Sequence, residues 1–246
     1  MKDLEMDLGL ASHEKMPLLL LPGTLCDEQL WEPQSRNLSD LCEPIVMPVG
    51  NHPSTCAQVE EILRQAPQRF ALAGLSYGGI LALELMHQAP ERVLGLALLD
   101  TNARPDPVEN RQARYEQLRT AQECGLATLV RETLWPQYVH ESRLFDQYLL
   151  QKVIDMAVSN GIGVLANQLQ GVMTRRDSRP MLRHIACPTL VLCGEDDRLC
   201  PIDRHEEIAN AIPQADLVVL LQCGHLSTLE GPKEVTAAMR RWLLSI

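Results

Sequence analysis

The stretch Gly74-Leu75-Ser76-Tyr77-Gly78-Gly79, directly after the apolar run Phe70-Ala71-Leu72-Ala73, constrains this chain more than any other. A G-x-S-x-G sequence set between an apolar strand and a helix is a nucleophile elbow. The chain turns so sharply there that the serine adopts a strained backbone conformation with its hydroxyl pushed out beyond the sheet. Glycines two residues to either side are needed because a Cβ would run into the neighbouring strand and helix. The pattern predicts a strand ending at Leu75, a helix starting at Tyr77 and a nucleophile at Ser76. It also requires a histidine, a carboxylate and an oxyanion hole elsewhere in the chain.

Apolar runs and helical periods alternate along the 246 residues, as in a mostly parallel sheet with helices on both faces. Strands are expected at residues 16–21, ended by Pro22-Gly23, then at Ile45-Val46-Met47, 70–75, 93–99 before Asp100, Pro188 to Cys193, and Asp216 to Leu221. Thr55 and Gln58 have capping-box spacing for a helix ending near Ala66-Pro67; Asp203 and Glu206 have it for a helix running to Ile212. Helices are also expected over Tyr77 to Ala89 and from Pro232 to Leu244. Between Asp100 and Pro188 the period is helical throughout. Leu126, Leu129, Val130 and Leu134 share one face, as do Phe145, Tyr148, Leu149, Val153 and Met156, and as do Ile162, Leu165, Leu169 and Val172. The expected organisation is a tail over residues 1–16, an α/β core over 17–101 and 185–246, and an all-helical cap over 102–184 inserted before the penultimate strand.

A net charge of −10 disfavours nucleic acid or an anionic membrane surface as partner, since both call for basic patches. The eight cysteines are scattered with no CxxC pair, and the first seven residues carry three acids and no apolar core of a secretory signal. No continuous apolar stretch approaches the ~18 residues of a membrane span. These features are those of a cytoplasmic chain with reduced thiols. A zinc site built on Cys223 and His225 lacks ligand spacing, so neither metal nor cofactor is expected.

Of seven histidines, only His225 stands in a short loop after the last expected strand, as Cys223-Gly224-His225. There an imidazole can swing over the strand ends, where open α/β sheets bind their ligands. Gly194-Glu195-Asp196-Asp197 follows the strand ending at Cys193, and on spacing alone its three acids compete for the role of orienting His225. Asp100 is a rival from the preceding strand, with a helix cap or a lid-hinge hydrogen bond as its plainer reading. One oxyanion donor is expected to be the N–H of Tyr77. The other should come from Pro22-Gly23-Thr24-Leu25-Cys26, with Thr24 the first choice and Leu25 the second.

On these residues the chain resembles the α/β-hydrolases of the esterase and lactonase branch, from Pro17 onward. The resemblance rests on the Gly74–Gly78 elbow, the Gly194-Glu195-Asp196-Asp197 turn, and Gly224-His225 followed by Glu230-Gly231-Pro232. It implies an α/β-hydrolase fold with Ser76, Asp197 and His225 as the catalytic residues, because the family's acid usually stands three residues after the glycine of that turn. Two departures stand out. Pro22-Gly23 occupies the place where many members carry His-Gly. The residues before Pro17 also lack the pattern of the usual opening antiparallel pair, so about six strands are expected.

The resemblance implies a serine hydrolase acting on a small carboxylic ester, thioester or lactone through an acyl-enzyme. C–C bond hydrolysis or acyl transfer with the same residues, and non-catalytic ligand binding on this fold, stay open at the level of sequence. So does oligomeric state. Within the cap, arginines 104, 111, 114, 119, 175, 176, 179 and 183 invite an anionic substrate, against the plainer reading of solvated helix faces. Trp135, Tyr138 and Phe145 are placed either along an acyl pocket or in the core, and Cys26 beside the oxyanion loop.

Overall fold

The computed structural model describes residues 15–246, so most of the tail lies outside it. Six strands form one parallel sheet: β1 Met16–Leu21, β2 Cys42–Val46, β3 Phe70–Leu75, β4 Val93–Leu99, β5 Thr189–Gly194 and β6 Ala215–Leu220. Their order is β2-β1-β3-β4-β5-β6, so the direction of winding reverses between β1 and β3. Such a switch point leaves a crevice at the carboxyl ends of the strands, and Ser76 stands at its edge.

The helices are α1 Glu32–Leu38, α2 Thr55–Gln65, α3 Tyr77–Gln88, α4 Arg111–Cys124, α5 Leu126–Thr128, α6 Trp135–Tyr138, α7 Gln147–Thr174, α8 Arg179–Leu182, α9 Ile202–Ala211, α10 Ser227–Glu230 and α11 Pro232–Leu243. A π-helical stretch, Leu129–Leu134, joins α5 to α6. Two apolar layers flank the sheet. One gathers Leu18, Leu20, Ala73, Leu99 and Leu192 with Val235 and Met239 of α11; the other gathers Leu19, Leu21, Leu72 and Leu98 with Leu81 and Leu85 of α3. The alternation of strand side chains between the two layers is the period-2 geometry of a sheet covered on both faces.

Three local expectations give way to other chemistry. The second strand runs over Cys42–Val46 rather than Ile45 to Met47, and it admits Pro44 because β2 is an edge strand paired only with β1. At α2 the N-cap is Ser54, whose Oγ accepts from Ala57 N. Gln58 instead turns its amide oxygen to the N–H groups of Gly50, Asn51 and His52. Among the described residues no side chain caps α9: the helix begins at Ile202, which places Asp203 inside its first turn, paired with Arg204 at 2.7 Å and Arg104 at 3.7 Å.

The helices between β4 and β5 follow the expected faces in two of three cases. Leu126, Leu129, Val130 and Leu134 are buried, and so are Leu165, Leu169 and Val172. Phe145 and Tyr148, by contrast, are 88% and 82% exposed. The Asp146 carboxylate caps α7 through Leu149 N, so the helical register starts after Phe145. Its buried face then runs through Leu149, Leu150, Val153, Ile154 and Ala157, with Tyr148 on the far side. Among the described residues α7 is also the one helix long and apolar enough to cross a membrane, which the continuous-run criterion overlooked. It is broken by Gly161 at φ 83°, and its Leu165, Leu169 and Val172 pack within the protein.

Candidate active site

Ser76 has φ 55° and ψ −113°, a conformation L-residues rarely adopt, and the surrounding bonds hold it there. Its N–H donates to Leu99 O at 2.9 Å, and the Thr101 hydroxyl donates to its carbonyl at 2.8 Å. The glycines are required sterically. A Cβ at Gly74 would collide with the carbonyl of Gly78, and one at Gly78 with the carbonyl of Leu21. The elbow is thus wedged between β1, β4 and α3.

His225 projects from the loop after β6 and is 2% exposed. The Ser76 hydroxyl donates to its Nε2 at 2.8 Å, and its Nδ1 lies 2.8 Å from Asp197 Oδ2. A carboxylate only accepts, so Nδ1 carries the proton and Nε2 is left as the acceptor. Asp197 Oδ1 in turn accepts from Leu199 N at 2.8 Å and Cys200 N at 2.9 Å, which fixes the carboxylate plane. Burial pulls the imidazole's pKa down, but the charge and hydrogen bond of Asp197 outweigh it and hold the pKa above the ordinary histidine value. Burial likewise opposes ionisation of Asp197, and the pairing with His225 wins, leaving its pKa below the usual carboxylate range.

Of the competing acids, Glu195 and Asp196 are exposed, and Asp196 faces His140 at 3.6 Å. Asp100 is fully buried at φ 47° one strand away. Its carboxyl group accepts from Gly194 N at 3.2 Å and pairs with the Ser227 hydroxyl, so it splices the ends of β4 and β5 to α10. It makes no hydrogen bond to His225; its Oδ2 also accepts from the N–H of Ser227, the first residue of α10, at 3.4 Å. Burial raises its pKa well above the ordinary value.

In the loop after β1, the Leu25 N–H is committed to Gln168 Oε1 at 2.9 Å, which removes Leu25 as an oxyanion donor. The N–H groups of Thr24 and Tyr77 have no acceptor among the described residues, and both residues line the cavity with Ser76 and His225. Gln168 is fully buried and also donates to Val49 O, so α7 braces this loop from above. Its signal in the sequence is a glutamine on the apolar face shared by Leu165, Leu169 and Val172. Replacing it by leucine strands a buried N–H and carbonyl; Gln168→Leu is expected to lower stability by about 1–3 kcal/mol in urea unfolding.

Three further supports of the site are not legible from motifs. Glu230 Oε1 accepts from Gly224 N at 3.0 Å and Oε2 from His140 N at 2.7 Å, pinning the histidine loop to the helical segment. Tyr138 O accepts from His225 N and Leu226 N. His205, buried and held neutral with a pKa lowered by burial to about 4, accepts from Thr101 N at 2.9 Å, bracing the residue that holds the Ser76 carbonyl.

The cavity above Ser76 has a volume of about 280 Å³. Leu129, Leu165, Leu169 and Val172 form its apolar wall, and Tyr138 joins them. Trp135 is in the core with its indole N–H on Leu144 O, and Phe145 points to solvent. Cys26 is buried away from the cavity, its thiol pushed up to about 12 by burial; Cys200 faces the cavity instead. All eight cysteines are free. Cys200, Asp197 and His225 bring donor atoms within 4.8 Å of one another, unlike Cys223. This donor set suits a cation poorly: Asp197 and His225 are spent on each other, and burial keeps the Cys200 thiol protonated.

Residues 19–238 match the model of the alpha/beta hydrolase family, and the chain belongs to it. The relatives fit that membership. A biotin biosynthesis bifunctional protein of Cellvibrio japonicus is 27% identical over 238 residues, 91% of this chain; the chain spans 46% of that longer protein. A pimeloyl-(acyl-carrier protein) methyl ester esterase of Nitrosomonas europaea is 25% identical across 88% of this chain and 91% of its own. Among solved structures, a thermophilic esterase from Thermogutta terrifontis superposes with a TM-score of 0.84 at 29% identity, covering 94% of this chain and 90% of that one.

Proposed function

We propose that the chain is a serine hydrolase that cleaves a small carboxylic ester, thioester or lactone through an acyl-enzyme. The observation that carries this reading is the unbroken line from Ser76 Oγ through His225 to Asp197, with both links at 2.8 Å, at the floor of a cavity. The names of the Nitrosomonas and Thermogutta relatives, both esterases, support the same bond type.

In the proposed mechanism His225 Nε2 takes the Ser76 proton as Oγ attacks the substrate carbonyl carbon. The carbonyl oxygen becomes an oxyanion facing the N–H groups of Thr24 and Tyr77. Collapse of this intermediate breaks the carbonyl–oxygen (or –sulfur) bond, and the leaving group departs with the proton from Nε2. A water molecule then gives a proton to Nε2 and attacks the acyl carbon; Ser76 leaves and recovers its proton. Asp197 holds the imidazole in the tautomer that accepts at Nε2 and stabilises the imidazolium at each stage. The helices over residues 102–184 act as the cap that shapes the acyl site, and the volume of the cavity suits a small-molecule substrate.

A panel of p-nitrophenyl esters of increasing acyl length, with lactones and aryl esters, tests the reading. Ser76-dependent turnover with a burst of one p-nitrophenol per chain is expected; no turnover across the panel would overturn it. The acid limb of kcat/KM is expected above pH 6.5, because protonated His225 cannot accept from Ser76 and its pKa is raised above the free value. Asp197→Asn is expected to move that limb downward, since the charge that holds the proton on the imidazole is gone.

A further inference from the structure

The cavity has a second, polar wall, and its charges do not balance. Asp106, whose side chain is 3% exposed, is gripped by Arg114: Nε lies 3.3 Å from Oδ2 and NH2 lies 3.1 Å from Oδ1. Arg175 brings NH1 to 3.8 Å from the same carboxylate. Arg175 otherwise spends its donors on the protein, with Nε on Arg104 O, NH1 on Val172 O and NH2 on Asn102 Oδ1. Arg114 NH1 has no acceptor among the described residues, although its side chain is only 26% exposed and lines the cavity.

The other two cavity arginines are neutralised on their outer side. Arg104 pairs with Glu207 at 2.8 Å and Arg204 with Asp203 at 2.7 Å. The group of Asp106, Arg114 and Arg175 therefore keeps one positive charge more than it cancels, in a partly desolvated wall of the space that holds Ser76. An excess cation in such a place is stabilised by one further anion, and a guanidinium oriented by a bidentate partner presents its remaining edge in fixed geometry.

We infer that this site selects esters whose acyl part carries a carboxylate away from the scissile carbonyl, with Arg114 receiving that carboxylate and Asp106 and Arg175 positioning Arg114. The deficit of a single negative charge matches a carboxylate better than a phosphate dianion. The apolar wall of Leu129, Leu165 and Leu169 suits the methylene chain between the two ends. This inference rests on the serine-hydrolase reading for its reaction but not for its binding step.

The test compares p-nitrophenyl hemiesters of C4 to C7 dicarboxylic acids with neutral acyl esters of equal length. At the best-fitting length the hemiester is expected to exceed its neutral counterpart by about tenfold or more in kcat/KM, through KM, as for a charge-assisted pair out of bulk water. Arg114→Gln should bring that ratio near one, and Arg114→Lys should restore part of it. Turnover of neutral esters with a ratio at or below one at every length overturns the inference and leaves the hydrolase reading standing. Binding is read separately by calorimetric titration of the corresponding methyl hemiesters into Ser76→Ala. Heat that disappears in the Ser76→Ala/Arg114→Gln double variant supports the anion site even if no ester is turned over. No binding of any hemiester to Ser76→Ala overturns it.

Discussion

Ser76→Ala is expected to lower kcat for the best ester by about 10⁶, the scale seen when the nucleophile of a serine hydrolase is removed. The size follows from the site's construction. Without Oγ there is no covalent intermediate, and His225 has no proton to accept; substrate then meets only the Thr24 and Tyr77 N–H groups and the cavity wall. That remainder retains a modest rate over water. His225→Ala should cost nearly as much, and the double variant little more than either single one, if the two residues act as one unit in the proposed mechanism. The fold should persist in Ser76→Ala, since the elbow is held by the bonds of the Ser76 backbone to Leu99 O and the Thr101 hydroxyl and by the packing of Gly74 and Gly78. Single-turnover kinetics beside a thermal melt separate these effects.

Asp197→Asn is expected to lower kcat by about 10⁴, while Asp196→Asn stays within about threefold of the parent. An asparagine at 197 can still accept from Leu199 and Cys200 through its amide oxygen. Its NH₂ then faces His225 Nδ1 and forces the imidazole proton onto Nε2, where it blocks transfer from Ser76. The carboxylate that stabilises the imidazolium is lost as well. Asp196 lies on the exposed side of the same turn and touches neither group. Should Asp196→Asn be the damaging change, the assignment within the turn is wrong. Asp100→Asn separates the remaining acid: its contacts are with Gly194 and Ser227, so its loss should appear first as reduced stability.

The geometry around Ser76 is legible because its demands are local. A glycine two residues either side of Ser76, an apolar strand before it and a helix after it can be read directly, and Gly224-His225 and Gly194 to Asp197 obey the same loop-after-strand rule. Selection of Asp197 over its neighbours needed the family resemblance, since spacing places three acids on one turn. What stayed hidden depends on contacts between distant segments. Gln168 reaches Leu25 across 143 residues, and Glu230 reaches His140 across 90. The helical period through Phe145 and Tyr148 breaks at Asp146, which caps a new helix and leaves both side chains in solvent. The arginines divide for the same reason. Arg111 and Arg119 are exposed on α4 and Arg179 lies beside Asp177, whereas Arg114 and Arg175 turn to the cavity through Asp106, a partner the periodicity of α4 cannot show.

As the activated nucleophile, Ser76 is expected to react with a serine-directed fluorophosphonate. Intact-mass and peptide mass spectrometry of the labelled protein should show one adduct per chain, on Ser76, formed more slowly in Asp197→Asn and absent in Ser76→Ala. No adduct on the parent protein, or equal labelling of Ser76→Ala, would rule out Ser76 as the nucleophile.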